Sequence, residues 1–205
     1  MQIDPQVAVP QSIYKLLIGC VVPRPIAWVS SLSDDGIPNL APFSFFMAVC
    51  NDPPTIAFAS GRRAGNKKDT VRNIEHRQDF VVNLVDDALA EQMNLTSGEY
   101  PPEVDEFALT GLTAAPSVKV AAPRVAEAPI NLECRVVQIL PVGRGPHSLV
   151  LGEIVYFHVR DELYNPKTGR IDMYNLHPVG RLAGELYTHV SDIFEMKRPV
   201  EHYAG

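Results

Sequence analysis

Ile130-Asn-Leu-Glu-Cys-Arg-Val-Val-Gln-Ile-Leu-Pro-Val142 and Ser148-Leu-Val-Leu-Gly-Glu-Ile-Val-Tyr-Phe-His-Val159, separated by Gly143-Arg-Gly-Pro-His147, decide the fold class. Two long runs rich in Val, Ile, Leu, Tyr and Phe, joined by a short glycine-bearing turn, predict neighbouring antiparallel strands. Further strands are predicted upstream at Ile26–Leu32, at Thr55–Ser60 and at Asp79–Leu84. Ser33-Asp-Asp-Gly36 has the residues of a hairpin turn, so Ile37-Pro-Asn-Leu-Ala-Pro-Phe-Ser-Phe-Phe46 should return beside Ile26–Leu32. Pro38 and Pro42 lack N–H groups, which places that return strand at an edge or bulge, where backbone amides stay free for a ligand. Helices are expected over Ser12–Ile18, stopping at Gly19, from Asp69 onward, and over Asp86–Asn94. Residues 96–128 show little periodicity apart from Glu106–Leu112 and read as an excursion outside the main sheet. About six strands joined mostly by short turns fit a mainly β antiparallel barrel with peripheral helices. A doubly wound sheet would need a helix at each crossover, and no Gly-x-Gly-x-x-Gly follows the first strand.

The chain has 205 residues and no Ser/Gly-rich or charge-run linker, so residues 1–205 read as one domain. A formal charge of −6 leaves no broad positive face, which argues against nucleic acid and membrane surfaces as partners. Cys20, Cys50 and Cys134 are odd in number and widely spaced, indicating buried thiols rather than a disulfide framework or a metal site. The N-terminal Met-Gln-Ile-Asp-Pro lacks the charged and apolar blocks of a signal peptide, so the expected compartment is the cytoplasm.

Against this acidic background, Ser60-Gly-Arg-Arg-Ala-Gly-Asn-Lys-Lys-Asp-Thr70 gathers four cations. The loop leaves a strand and enters a helix. A helix start offers unpaired N–H groups and the positive end of its dipole, and with lysines and a threonine hydroxyl it makes a seat for a phosphate. Gly61 and Gly65 are followed by Asn66-Lys67-Lys68 where a Walker A loop needs Gly-Lys-Ser/Thr, so nucleotide hydrolysis is not expected. A solvated surface loop with Asp69 as an ordinary helix cap is the competing reading. No His, Asp or Glu spacing suggests a metal site.

Five stretches in order resemble the flavin reductase-like family of FMN-binding split-barrel proteins, which includes flavoredoxin-type proteins and reductase components of two-component monooxygenases. They are Pro23-Arg-Pro-Ile-Ala-Trp-Val-Ser-Ser31, Gly36-Ile-Pro-Asn-Leu-Ala-Pro-Phe-Ser-Phe-Phe46, Asp52-Pro-Pro54, Lys68-Asp-Thr-Val-Arg-Asn-Ile74 and Gly145-Pro-His-Ser-Leu-Val-Leu-Gly-Glu153. The resemblance implies a homodimeric split β-barrel with one FMN near the subunit interface. Carried over residue by residue, Asn39, Ala41, Pro42, Phe43, Ser44 and Phe45 should line the isoalloxazine ring. Lys68 and Thr70 should hold the phosphate, with Ser60, Arg62 and Ser30 as companions. His147 matches the family's histidine close to the flavin and the nicotinamide site, as a positioning or proton-donating group. His76, His158, His177, His189 and His202 read as ordinary surface histidines. Trp28 reads as barrel core. Arg181 and Tyr187 touch either cofactor or partner subunit, unless Gly180–Tyr187 is simply a capped C-terminal helix. One departure stands out: some members carry a lysine after the Ser-Gly of the middle region, where this chain has Glu99.

The resemblance implies an oxidoreductase in which NADH or NADPH reduces the flavin and the electrons pass to free flavin or another acceptor. The same residues would serve a non-catalytic FMN-binding electron carrier, or a phosphate-binding barrel without flavin.

Overall fold

A computed structural model describes residues 2–145, 147–197 and 199. Helix α1 (Pro10–Cys20) begins with Pro10 in its first turn, where a missing N–H costs nothing, and runs through Gly19 to Cys20. The expected stop at Gly19 is therefore displaced; the chain leaves the helix at Val21, whose N–H still reaches the Leu17 carbonyl. Strand β1 (Ala27–Leu32) pairs antiparallel with β2 (Pro38–Phe43), and between them Gly36 takes φ 80°, the left-handed conformation that the turn demands. Strands β3 (Phe46–Asn51), β4 (Pro54–Ser60), β5 (Asp79–Asn83), β6 (Ile130–Val142) and β7 (His147–Val159) complete one sheet in the order β2-β1-β5-β6-β7-β4-β3. All its pairings are antiparallel. The architecture is mainly β, as the strand pattern implied.

Strands β2 and β3 lie at opposite edges of this sheet yet are joined by only Ser44 and Phe45. Two edges so connected require the sheet to roll until they meet. At the corner the Ala59 N–H donates to the Phe45 carbonyl at 2.8 Å, carrying the β3–β4 ladder one residue past Phe46. The expected return strand over Ile37–Phe46 is thus two strands, split where the chain steps from one edge to the other. Inside the roll, Phe43, Phe58 and Phe80 stack in sequence, with ring centroids 5.0 and 5.6 Å apart. Helix α2 (Asp69–Arg77) sends Ile74 into this same core. Trp28, expected in the barrel, points to the other face of β1. Period-two alternation puts Ala27 and Val29 inside and Ile26 and Trp28 outside, under α3 (Ala90–Leu95). The Trp28 indole N–H donates to Thr96 Oγ1 at 2.8 Å.

The excursion over residues 96–128 does stay outside the main sheet, contributing α4 (Glu106–Thr110) and a ribbon of Ala114–Ala115 with Arg124–Val125. It is tethered by a buried carboxylate. Glu133 on β6 accepts the Val118 and Lys119 N–H groups at 2.7 and 2.6 Å and contacts His158 Nε2 at 2.6 Å. Burial works to raise the Glu133 pKa, but these hydrogen bonds outweigh it and hold the carboxyl below its ordinary value.

Two further expectations are corrected. Cys20 and Cys50 are exposed and only Cys134 is buried, because Cys20 ends a surface helix and β3 is an edge strand whose side chains mostly face outward. Gly180–Tyr187 is no helix: Val179–Arg181 (β8) pairs with Tyr187–His189 (β9), turning through Gly184 at φ 60°.

Candidate functional site

A cleft of about 890 Å³ opens at the seam between β2 and β3. That volume is in the range of a cofactor pocket. One wall is the return strand with its corner, where Asn39, Ala41, Pro42, Phe43, Ser44 and Phe45 all line the space. The opposite end is the basic loop, which folds as a two-residue ribbon, Arg62–Arg63 against Asn66–Lys67, and runs straight into α2. Arg62, Lys68, Thr70 and His147 line it too.

The start of α2 is electrostatically open. Its N-cap is Lys68 rather than Asp69, and no side chain caps it. Asp69 sits inside the first turn and pairs with Arg72. The first N–H groups therefore keep their demand for an acceptor. Lys68 stands at the same point, 5.4 Å from the Phe43 ring, with its pKa lowered chiefly by burial. An ammonium beside amides that no side chain caps gives this end of the cleft a positive potential.

His147 reaches this end through strand register. Ser148 pairs with Ser60, so the first residue of β7 arrives beside Gly61, and the His147 ring lies 3.5–4.0 Å from where a Gly61 Cβ would project. A Cβ at 61 would rest in ordinary van der Waals contact with that ring. Pro146, the preceding residue in the sequence, lies outside the described residues, as does His202.

The return strand presents a specific polar edge. The Leu40 N–H points away from β1, since it donates to Glu106 Oε2 at 3.1 Å. In an antiparallel strand alternate residues share a side, so positions 38, 40 and 42 all face outward. Pro38 and Pro42 have no N–H, and the one at Leu40 is taken. The expectation that the prolines leave free amides for a ligand is thereby reversed: this edge is poor in donors. Polar donation comes instead from Asn39, whose amide nitrogen lies 3.0 and 3.1 Å from the two Glu106 oxygens while its carbonyl accepts the Thr70 hydroxyl at 2.7 Å.

Ser30 and Ser60 do not reach the cleft. The Ser30 hydroxyl donates to the Pro123 carbonyl at 2.5 Å and accepts from Asn83, while Ser60 donates to the Gly61 carbonyl. Both are buried. Arg181 and Tyr187 do line the cleft, stacked on each other with the guanidinium 4.3 Å from the ring centroid.

Three contributors were missed in the sequence. Arg24, read only as part of a Pro-Arg-Pro connection, is buried and donates to the Ile18, Val21 and Leu182 carbonyls at 2.6–2.8 Å. It clamps α1, the β8 turn and the Ser44–Phe45 corner, lying 5.9 Å from the Phe45 ring. Residues 96–102 form a flank of the cleft, where Glu99 pairs with Arg63 at 3.2 Å and the Tyr100 carbonyl accepts from Arg63 at 3.1 Å. Glu106 is the third; burial raises its pKa against the hydrogen bonds from Leu40 and Asn39. Three of the remaining histidines pair with carboxylates away from the cleft: His76 with Asp34, His189 with Asp87 and His158 with Glu133. Among the described residues, no group of His, Cys, Asp or Glu could hold a metal, and no helix is long and apolar enough to cross a membrane.

The fold is a split barrel whose cleft has an aromatic wall at one end and a cluster of cations at the other. The chain belongs to the flavin reductase like domain family, whose profile matches residues 18–175. It is 37% identical to nitrilotriacetate monooxygenase component B from Bacillus cereus, with a TM-score of 0.92 over 96% of this chain and 98% of that one. It is 34% identical to the Pseudomonas fluorescens 2-nitrobenzoate 2-nitroreductase NbaA, with a TM-score of 0.90 and full coverage of both chains. An uncharacterized protein of Halalkalibacterium halodurans is 40% identical over 97% of each chain.

Proposed function

We propose that the cleft binds FMN and that the protein is a flavin oxidoreductase using NADH or NADPH as electron donor. The observation that carries this reading is the convergence in one cleft of an uncapped helix start, the Lys68 ammonium and the aromatic wall of Phe43 and Phe45. Lys68 and the first amides of α2 would hold the phosphate, with Arg62 alongside. Phe45 and the Ala41–Ser44 backbone would flank the ring, and outward carbonyls of β2 suit the single N–H on its pyrimidine edge.

When bound, the flavin accepts a hydride from nicotinamide and releases electrons singly or in pairs. The chain's own part is to align and shield. His147, beside Gly61, would orient the incoming dihydronicotinamide or supply a proton, and the Glu99–Tyr100 flank would narrow the approach of water. Acceptor choice belongs to that open side. The relatives are named as a monooxygenase component and a nitroreductase, so free flavin and a nitroaromatic carboxylate are the acceptors to compare. We also propose that two chains pair, with the exposed Met47 and Val49 of edge strand β3 in the contact; light scattering would read the mass of the dimer.

The absorbance spectrum of purified protein mixed with FMN, followed by anaerobic addition of each nicotinamide, tests the reading. Bleaching of the flavin band is expected with at least one. Binding without bleaching would favour an electron carrier, and a protein with no FMN affinity would end the proposal.

A further inference from the structure

Glu106 is a carboxylate only 6% exposed, yet it lines the cleft and has no cationic partner among its hydrogen bonds. Asp105, one residue earlier, caps α4 by accepting the Phe107 and Ala108 N–H groups. Glu106 is thus released from capping and turns toward β2. There it takes the place of a neighbouring strand: its Oε2 accepts the one outward N–H left between Pro38 and Pro42. Both oxygens also face the Asn39 amide nitrogen. Because a carboxylate only accepts, it captures the NH₂ end of Asn39 and leaves the carbonyl end for Thr70, whose hydroxyl donates to it at 2.7 Å. The two ends of Asn39 are therefore distinguished: Glu106 holds its nitrogen, while Thr70 and, at 3.5 Å, the Ser31 hydroxyl donate to its carbonyl. One N–H of the Asn39 amide is engaged by the carboxylate; the second remains available on a residue that lines the cleft.

We propose that Glu106 is a positioning residue of the flavin site: through the relay Glu106–Asn39–Thr70 it sets Asn39 as a hydrogen-bond donor to the ring of the bound flavin. This rests on the flavin reading above. The relay also joins the two ends of the cleft, since Thr70 belongs to the helix start that would seat the phosphate while Asn39 belongs to the ring wall. Thr70 accordingly serves the ring end as well as the phosphate end.

Riboflavin, which has the ring but no phosphate, separates these roles. Binding of riboflavin and of FMN is measured by fluorescence quenching for wild type, Glu106→Gln, Glu106→Asp, Asn39→Ala, Thr70→Val and Glu106→Gln with Asn39→Ala. A glutamine at 106 sets its own NH₂ against a donor at Asn39 or Leu40, so Glu106→Gln should weaken riboflavin binding by about tenfold and shift the absorbance band of the bound flavin. Glu106→Asp should recover part of that loss. The double variant should bind within about twofold of Asn39→Ala alone, because Glu106 acts through Asn39. Thr70→Val should lower riboflavin affinity although riboflavin has no phosphate; this variant tests the relay even if Glu106→Gln fails to fold in a thermal melt without flavin. Riboflavin binding unchanged in Glu106→Gln or in Thr70→Val, or losses that multiply in the double variant, would overturn the relay while leaving flavin binding intact. A wild type that binds neither flavin overturns the proposed function and the relay together.

Discussion

The two ends of the cleft are built on different principles. At the ring end, Asn39, Leu40, Glu106 and Thr70 are joined by buried hydrogen bonds, and Arg24 locks the Ser44–Phe45 corner through backbone carbonyls on two other elements. At the phosphate end, the ribbon of residues 62–67 is half exposed, and two of its cations are committed to surface pairs, Arg63 with Glu99 and Lys67 with Glu75. Buried polar contacts fix orientation, while a partly solvated charge cluster fixes only where negative charge is welcome. Under the proposed flavin reading, the strand side would orient the ring and the helix side would capture the anion.

The largest test of that division is Lys68→Ala combined with Thr70→Ala. Losing the charge-assisted hydrogen bond of Lys68, about 1.5–3 kcal/mol, together with the Thr70 hydroxyl that orients Asn39, about 1 kcal/mol, implies on the order of a 100-fold loss of FMN affinity, read by quenching titration. Lys68→Ala alone should spare riboflavin binding; equal losses for both flavins would merge the two ends. His147→Ala should slow anaerobic flavin reduction by on the order of 10²-fold, measured by stopped-flow, with FMN affinity within about twofold of wild type. Phe45→Ala removes a ring wall, and riboflavin and FMN should weaken alike by about tenfold. The weakest effect belongs to the ribbon. Glu99→Gln breaks an exposed pair and should change thermal stability by less than about 0.5 kcal/mol.

Away from the cleft, Glu133 gives a stability signature. Its folded pKa lies below the unfolded value, so its contribution is complete above the ordinary glutamate value of 4.5 and is lost as pH falls through the depressed folded one. Wild-type melting temperature should drop over that acid window, and Glu133→Gln should start lower and lose less.

Much of the barrel was legible in local sequence. Alternation and turn residues marked β1, β2 and the β6–β7 hairpin, and Pro38 and Pro42 marked an edge, because a missing N–H is tolerated only where no neighbouring strand needs it. Rolling of the sheet was not legible: it depends on Ser44 and Phe45 joining opposite edges, a long-range fact that no short window holds. Of the expected site residues, those on β2, the corner and the basic loop meet in one cleft, since each lies on a contiguous segment. Ser30 is turned away because strand alternation on β1 commits its hydroxyl to Pro123 and Asn83. Glu106 escaped notice because it sits in a short helix of a region with weak periodicity; its meaning arises only when β2 leaves an N–H unpaired opposite it. Arg24 was hidden similarly, its three carbonyl partners lying as far as Leu182.

A crystal structure of the protein grown with excess FMN tests the central claim most directly. The account predicts the phosphate within hydrogen-bonding distance of Lys68 and the first amides of α2, with the isoalloxazine against residues 41–45. Flavin bound elsewhere, or this cleft empty at saturating FMN, would contradict it.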